Sequence, residues 1–126
     1  MRILFIGAGR MGLPIISSWK KGSRHKSIDI HLVEKLETNI NKVKKEKIKV
    51  NFYKKIPKKW KGDIIFFAVK PQDFKKVAEE INLKNVLFKN IVSIMAGITT
   101  SKIRSYLKTQ TSITRVMPNL AVEVNL

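Results

Sequence analysis

The hydrophobic positions form short runs that alternate with stretches in which apolar residues recur every three or four positions. A short apolar run bounded by glycine, proline or charge is typical of a strand, and the wider spacing is typical of a helix with one apolar face. The runs predict strands at residues 2–6, 28–33, 48–53, 63–69, 91–97 and 112–117. The amphipathic stretches predict helices at residues 10–21, 35–47, 71–81 and 99–107. This regular alternation favours one α/β domain over residues 1–126, built as a doubly wound parallel sheet.

The first strand ends in three glycines with the spacing G-x-G-x-x-G: Gly7, Gly9 and Gly12. Gly7 permits a tight turn, Gly9 lets backbone approach a pyrophosphate, and Gly12 lets the following helix pack against the strand. The pyrophosphate would meet the free N–H groups and the positive dipole end of that helix. Three glycines also fit a plain strand-to-helix turn. Their position directly after the first strand favours dinucleotide binding.

Glu34 stands at the end of the second predicted strand, where the adenosine ribose of a dinucleotide would arrive. A carboxylate there accepts hydrogen bonds from the ribose hydroxyls and repels a 2′-phosphate, so NAD is favoured over NADP. The neighbouring Lys35 weakens that preference. A solvated charge at a strand end is an equally good interpretation of Glu34.

Three later strand ends fall at the same predicted edge, where open α/β sheets bind their ligands. Ala68 and Val69 leave room for a ribose or nicotinamide ring, as do Ala96 and Gly97, and Lys70 would face a phosphate or the reacting groups. Lys70 also fits an ordinary lysine at a helix start. The amide of Asn119 can donate and accept hydrogen bonds, although Asn119 also fits a turn after proline.

The strongly basic composition suggests nucleic-acid binding as a competing function. There are 26 basic and 9 acidic residues, which give a net charge of +17. Lysine predominates and is spread along the chain with few aromatic residues, so we expect no specific nucleic-acid partner, only salt-sensitive non-specific binding.

Other absences in the sequence limit its class. The chain has no cysteine, so no disulfide or cysteine-ligated metal is possible, and no metal site is predicted. No apolar stretch approaches the roughly 18 residues of a membrane span, and we predict a cytoplasmic protein with no membrane partner.

Four segments together resemble the pyrroline-5-carboxylate reductase family, in the family's order and at similar spacing. They are FIGAGRMG at 5–12, DIIFFAVKPQ at 63–72, IVSIMAGIT at 91–99 and ITRVMPN at 113–119. The resemblance implies a Rossmann-type dinucleotide-binding domain that uses NADH or NADPH to reduce the cyclic imine of pyrroline-5-carboxylate to L-proline. It implies cofactor contacts along the glycine loop, at the three later strand ends and near the nicotinamide: Ile6, Gly7, Ala8, Gly9, Arg10, Met11, Gly12, Ala68, Val69, Lys70, Ala96 and Asn119.

Family members are about twice as long, and their helical second half dimerises and supplies substrate-binding groups. We therefore expect a truncated, cofactor-binding half that turns over little alone, with homo-oligomers in the full-length family and no assignable catalytic proton donor here. Two alternatives stay open: another reductase on the same fold, of hydroxyacid or ketopantoate type, and a non-catalytic NAD-binding module.

Overall fold

A computed structural model of the chain describes residues 1–21 and 28–116. Each predicted strand and helix that falls in this part is present, with bounds that are shorter or shifted by a few residues. The strands are β1 (Arg2–Ile6), β2 (Asp29–Val33), β3 (Asn51–Tyr53), β4 (Ile64–Phe67), β5 (Asn90–Ser93) and β6 (Ser112–Arg115). The helices are α1 (Gly12–Lys21), α2 (Glu37–Lys45), α3 (Phe74–Leu83) and α4 (Thr100–Leu107), and a single 3-10 turn (Pro71–Asp73) leads into α3. The predicted site residue Asn119 lies outside the described residues.

The six strands form one parallel sheet in the order β3-β2-β1-β4-β5-β6. The chain first adds strands on one side of β1 and then crosses to the other side, so β1 lies between β2 and β4. This reversal confirms the doubly wound fold, and it places the switch point at the carboxyl ends of β1 and β4, where sheets of this kind bind ligands.

Each face of the sheet carries its own apolar core. Phe5 and Phe66 stack with their ring centroids 4.4 Å apart, and the Trp19 side chain of α1 packs edge-on against both. On the opposite face Phe67 meets Phe74 of α3. Alternate residues of a strand point to opposite faces, so β4 and the part of β1 from Ile3 onward must be apolar on both faces, which is why they are continuous hydrophobic runs.

β4 and β5 end earlier than the apolar pattern predicts. β4 ends at Phe67 and the following residues bend toward Pro71, which has no N–H to continue a ladder. β5 ends at Ser93, whose hydroxyl accepts a hydrogen bond from the N–H of Met95, and Gly97 then adopts a φ of +73°. Residues 68–70 and 94–97 are therefore loops over the sheet edge rather than strand.

The lysine-rich segment 54–61, which lies between the predicted strands 48–53 and 63–69, also contributes to the core. The side chains of Ile56 and Trp60 are only 2% and 5% exposed, whereas the lysines around them face solvent. The Trp60 ring packs beside the buried imidazole of His31 in β2. His31 in turn lies 3.0 Å from a carboxylate oxygen of Asp29 and 2.9 Å from the hydroxyl of Tyr53, which ties the edge strand β3 to β2.

Candidate functional site

The residues that follow β1, β2, β4 and β5 lie side by side at one edge of the sheet. Ile6 is paired with Val33 on one side and with Phe67 on the other, and Phe67 is paired with Ser93. Backbone hydrogen bonds continue just past the strands, from the Gly7 N–H to Val33 and from the Ala68 N–H to Ile6. The strand ends that the sequence assigned to one site are therefore neighbours.

Gly7 and Gly12 are glycines because of the protein's own packing. Gly7 has a φ of +92°, and a Cβ added to it would lie 2.8 Å from the carbonyl oxygen of Ala68. A Cβ on Gly12 would lie 2.9 Å from the carbonyl oxygen of Gly7 and 3.1 Å from the ring of Phe5. The distances to the two carbonyl oxygens are too short for a side chain at Gly7 or Gly12. This agrees with the turn and packing roles expected of these positions.

Gly9 is different, because nothing in the protein forbids a side chain there. A Cβ added to Gly9 would meet no atom within 4 Å, and the backbone is not in the left-handed region. The space over Gly9 is open at the start of α1, where the first N–H groups have no partner within the helix. We call this space the open cradle, and its occupation by a pyrophosphate stays a prediction.

Glu34 is a buried carboxylate rather than a solvated charge, since only 9% of the residue is exposed. One of its oxygens accepts hydrogen bonds from the Ala8 N–H at 2.7 Å and from the Asn39 amide at 3.1 Å. Its other oxygen accepts the Leu36 N–H at 3.1 Å. The carboxylate thus joins the glycine loop to the start of α2.

Asn39 is a contact that the sequence analysis missed. It is the third residue of α2, a position from which polar side chains often reach back toward the residue that caps the helix. That regularity is the only sequence signal that would have pointed to it.

The hydrogen bonds of Gly7 and Ala8 reduce the number of N–H groups that the glycine loop can offer to a phosphate. The N–H groups of these two residues donate to Val33 and Glu34, within the protein. If a pyrophosphate binds here, its backbone donors would have to come from the later part of the loop, between Gly9 and Gly12. The contacts predicted for Ile6, Arg10 and Met11 stay predictions.

Ala68 has a packing role beside the role predicted for it. Its carbonyl oxygen leaves no room for a Cβ at Gly7, and its methyl group would be 3.4 Å from a Cβ on Gly12. Ala68 therefore supports the glycine loop from the neighbouring strand. Val69 is partly buried against the core that contains Phe67, whereas Lys70 and Ala96 are exposed. The structure brings these residues to the predicted edge, and their cofactor contacts stay predictions.

The described residues hold neither a cluster of metal-ligating side chains nor a membrane-spanning helix. No three His, Cys, Asp or Glu side chains within residues 1–21 and 28–116 come together as a metal site would need. None of the helices in these ranges is both long enough and apolar enough to cross a membrane.

A doubly wound parallel sheet with a glycine loop at its switch point defines a Rossmann-type α/β domain of the nucleotide-binding class. Residues 2–97 match the family model described as NADP oxidoreductase, coenzyme F420-dependent. The chain therefore belongs to that family of NAD(P)-binding oxidoreductases.

Individual relatives confirm the resemblance found in the sequence. The chain is 31% identical to a pyrroline-5-carboxylate reductase of Staphylococcus epidermidis and 32% identical to one of Staphylococcus aureus, over 125 residues in each case. These alignments cover 98% of this chain and 46% of either relative.

Solved structures agree with this comparison. A pyrroline-5-carboxylate reductase of Coxiella burnetii matches 97% of this chain and 45% of its own, with a TM-score of 0.75 and 25% identity. The enzyme of Streptococcus pyogenes, at 23% identity and a TM-score of 0.66, shares the fold. The chain thus spans a little less than half the length of the relatives it matches.

Proposed function

We propose that residues 1–126 form the NAD(P)-binding domain of a pyrroline-5-carboxylate reductase. The single observation that carries the proposal is the open cradle over Gly9, set at the switch point of the sheet and surrounded by the strand ends that follow β1, β2 and β4. The likeness to pyrroline-5-carboxylate reductases over 98% of this chain supports the choice of reaction.

The residues of this chain would bind and orient the dinucleotide rather than transfer protons. The glycine loop would hold the pyrophosphate, Glu34 would lie at the adenosine side, and Ala68, Val69, Lys70 and Ala96 would line the nicotinamide side, with Asn119 near the substrate. When bound, a reduced nicotinamide would supply hydride for the C=N carbon of pyrroline-5-carboxylate, whose nitrogen would take up a proton to give L-proline. Holding the two reacting carbons in reach and excluding water is the protein's contribution.

The finer features of the proposal follow from the sequence. The sequence slightly favours NAD over NADP because a carboxylate follows β2, and this preference requires that Glu34 reaches the ribose. The full-length protein would be a cytoplasmic homo-oligomer that takes pyrroline-5-carboxylate as a small-molecule substrate.

Cofactor binding by the 126-residue chain tests the first part of the proposal. Titration with NADH and with NADPH, followed by the nicotinamide fluorescence, should give saturable binding with little turnover of pyrroline-5-carboxylate. Absence of binding to either dinucleotide at millimolar concentration would overturn it.

The reaction itself is tested in a chimera that joins this chain to the remaining part of the Staphylococcus aureus relative. Oxidation of NADH or NADPH that depends on pyrroline-5-carboxylate, with L-proline as the product, would support the assignment. The intact Staphylococcus aureus enzyme is the positive control. A chimera that binds the cofactor but reduces a 2-oxo acid instead would favour a different reductase on the same fold.

A further inference from the structure

The carboxylate of Glu34 connects the two elements that border the adenosine half of the proposed site. Its 2.7 Å bond to the Ala8 N–H has the length of a strong, charge-assisted hydrogen bond. A buried charge is expensive unless polar partners surround it, and this carboxylate has three N–H donors. Three of its roughly four acceptor sites are used, which leaves one site, on Oε2, for a further donor.

The position of the carboxylate at the start of α2 adds to its stability. Leu36, at the N-cap of α2, has no side chain that can accept a hydrogen bond from the first turn of the helix. Glu34 instead accepts the backbone N–H of Leu36 itself and the side-chain amide of Asn39. The positive end of the helix dipole favours a negative charge at this place. Glu34 therefore binds the start of α2 and the glycine loop at the same time.

We propose that Glu34 is a positioning residue that fixes the glycine loop in its phosphate-binding shape, instead of a direct ligand of the ribose. With the Ala8 N–H held by Glu34 and the Gly7 N–H held by Val33, the loop can present only its later N–H groups to a ligand. Freeing the Ala8 N–H would let the loop take other conformations, and the dinucleotide would have to order it again on binding.

This inference rests on the proposed dinucleotide function. A positioning role for Glu34 predicts a different effect on the two cofactors than a direct contact with the ribose does. A ribose ligand discriminates between the two cofactors, because a carboxylate repels a 2′-phosphate. A residue that positions the phosphate loop acts on the pyrophosphate, which NADH and NADPH share. Loss of Glu34 should therefore weaken both by the same factor.

The test compares Glu34→Gln and Glu34→Ala with the matched control Glu37→Gln. Glu37 lies in the first turn of the same helix and pairs at the surface with Lys54, so its substitution removes one nearby negative charge without touching the loop. Affinities for NADH and NADPH are measured at a temperature where urea unfolding curves show each variant fully folded. We expect Glu34→Ala to weaken both dinucleotides by about tenfold or more, the effect of losing a hydrogen bond to a charged group, with Glu34→Gln in between.

A spectroscopic measurement without ligand separates the positioning role from general destabilisation. The Ala8 amide proton, which donates to a carboxylate at 2.7 Å, should resonate far downfield and move upfield in Glu34→Gln but not in Glu37→Gln. If the unmodified chain binds neither dinucleotide, the proposed function fails, while this signal still reports whether Glu34 holds the loop.

Two results would overturn the inference. One is a loss of NADH affinity with unchanged or tighter NADPH binding, as expected of a ribose ligand. The other is unchanged affinity for both dinucleotides. If Glu34→Ala does not fold, Asn39→Ala removes one bond to the same carboxylate and should weaken both dinucleotides by a smaller, equal factor.

Discussion

Replacement of Gly9 by alanine separates binding from stability in the glycine loop. A methyl group at Gly9 would meet no protein atom within 4 Å, and the backbone there is in a region open to any residue. Alanine at such a position restricts the unfolded chain, so the free energy of unfolding should stay the same or rise by about 0.4–1 kcal/mol. The new methyl group would occupy the space in which a pyrophosphate meets the loop.

The expected loss of affinity follows from the donors that the methyl group displaces. Loss of one hydrogen bond to a charged phosphate costs about 1.5–3 kcal/mol, which corresponds to a dissociation constant about tenfold to hundredfold larger for NADH and NADPH. Gly12→Ala is the comparison, because its methyl group would lie 2.9 Å from the Gly7 carbonyl oxygen. Overpacking of that kind should lower the free energy of unfolding by about 1–3 kcal/mol.

Fluorescence titration and urea unfolding of both variants provide the measurement. The reasoning requires Gly9→Ala to fold as stably as the unmodified chain and to bind poorly, whereas Gly12→Ala loses stability. Undiminished affinity of Gly9→Ala for both dinucleotides would show that the pyrophosphate does not approach the loop at this point. A large loss of stability would instead show that the space over Gly9 is filled.

Three further predictions concern the scaffold. Phe67→Ala, which empties a fully buried position between β4 and α3, should lower the free energy of unfolding by about 3–5 kcal/mol in urea titrations, and a loss under 1 kcal/mol would contradict the packing described. Thr99→Ala removes the side-chain oxygen that accepts the Lys102 N–H at the start of α4 and should cost about 1 kcal/mol, whereas Thr99→Ser should restore most of it. The hydrogen bond from His31, aided by the charge of Arg2, lowers the pKa of Asp29 below its ordinary value of 3.8. A carboxyl whose pKa is lowered by folding stabilises the folded state at pH values above its unfolded-state pKa, and that stability is lost as the pH falls. The unmodified chain should therefore lose more stability than Asp29→Asn between about pH 5 and about pH 3. Equal losses for the two proteins in urea unfolding would refute this.

The fold was predictable because its central strands are apolar on both faces. The run from Ile64 to Val69 carries an unbroken apolar signal, and the structure buries β4 between β1 and β5 as that signal requires. The exact end of β4 was not predictable from the same run. The turn toward Pro71 ends the strand at Phe67 although Ala68 and Val69 are apolar, and the Ala68 N–H still donates to Ile6.

The candidate site was predictable in position but not in its internal bonds. Sequence spacing placed Glu34 at the correct strand end, yet the bond to the Ala8 N–H joins residues 26 positions apart and depends on how two loops meet. The burial of Trp60 was missed for a related reason. Lysines surround it in the sequence, and only the folded chain brings it against His31.

The strand order also determines what must happen while the chain is being made. β1 leaves the ribosome first but lies at the centre of the sheet, so its second edge stays unpaired until β4 has emerged. Between the synthesis of Tyr53 and that of Phe67, roughly 1–3 s at ~5–20 residues per second, β1, β2 and β3 can pair only as a three-stranded sheet with an apolar open side. Slow codons or a pause within this segment would prolong that exposure, and a chaperone that shields β1 at this stage would act on the strand that later carries the glycine loop.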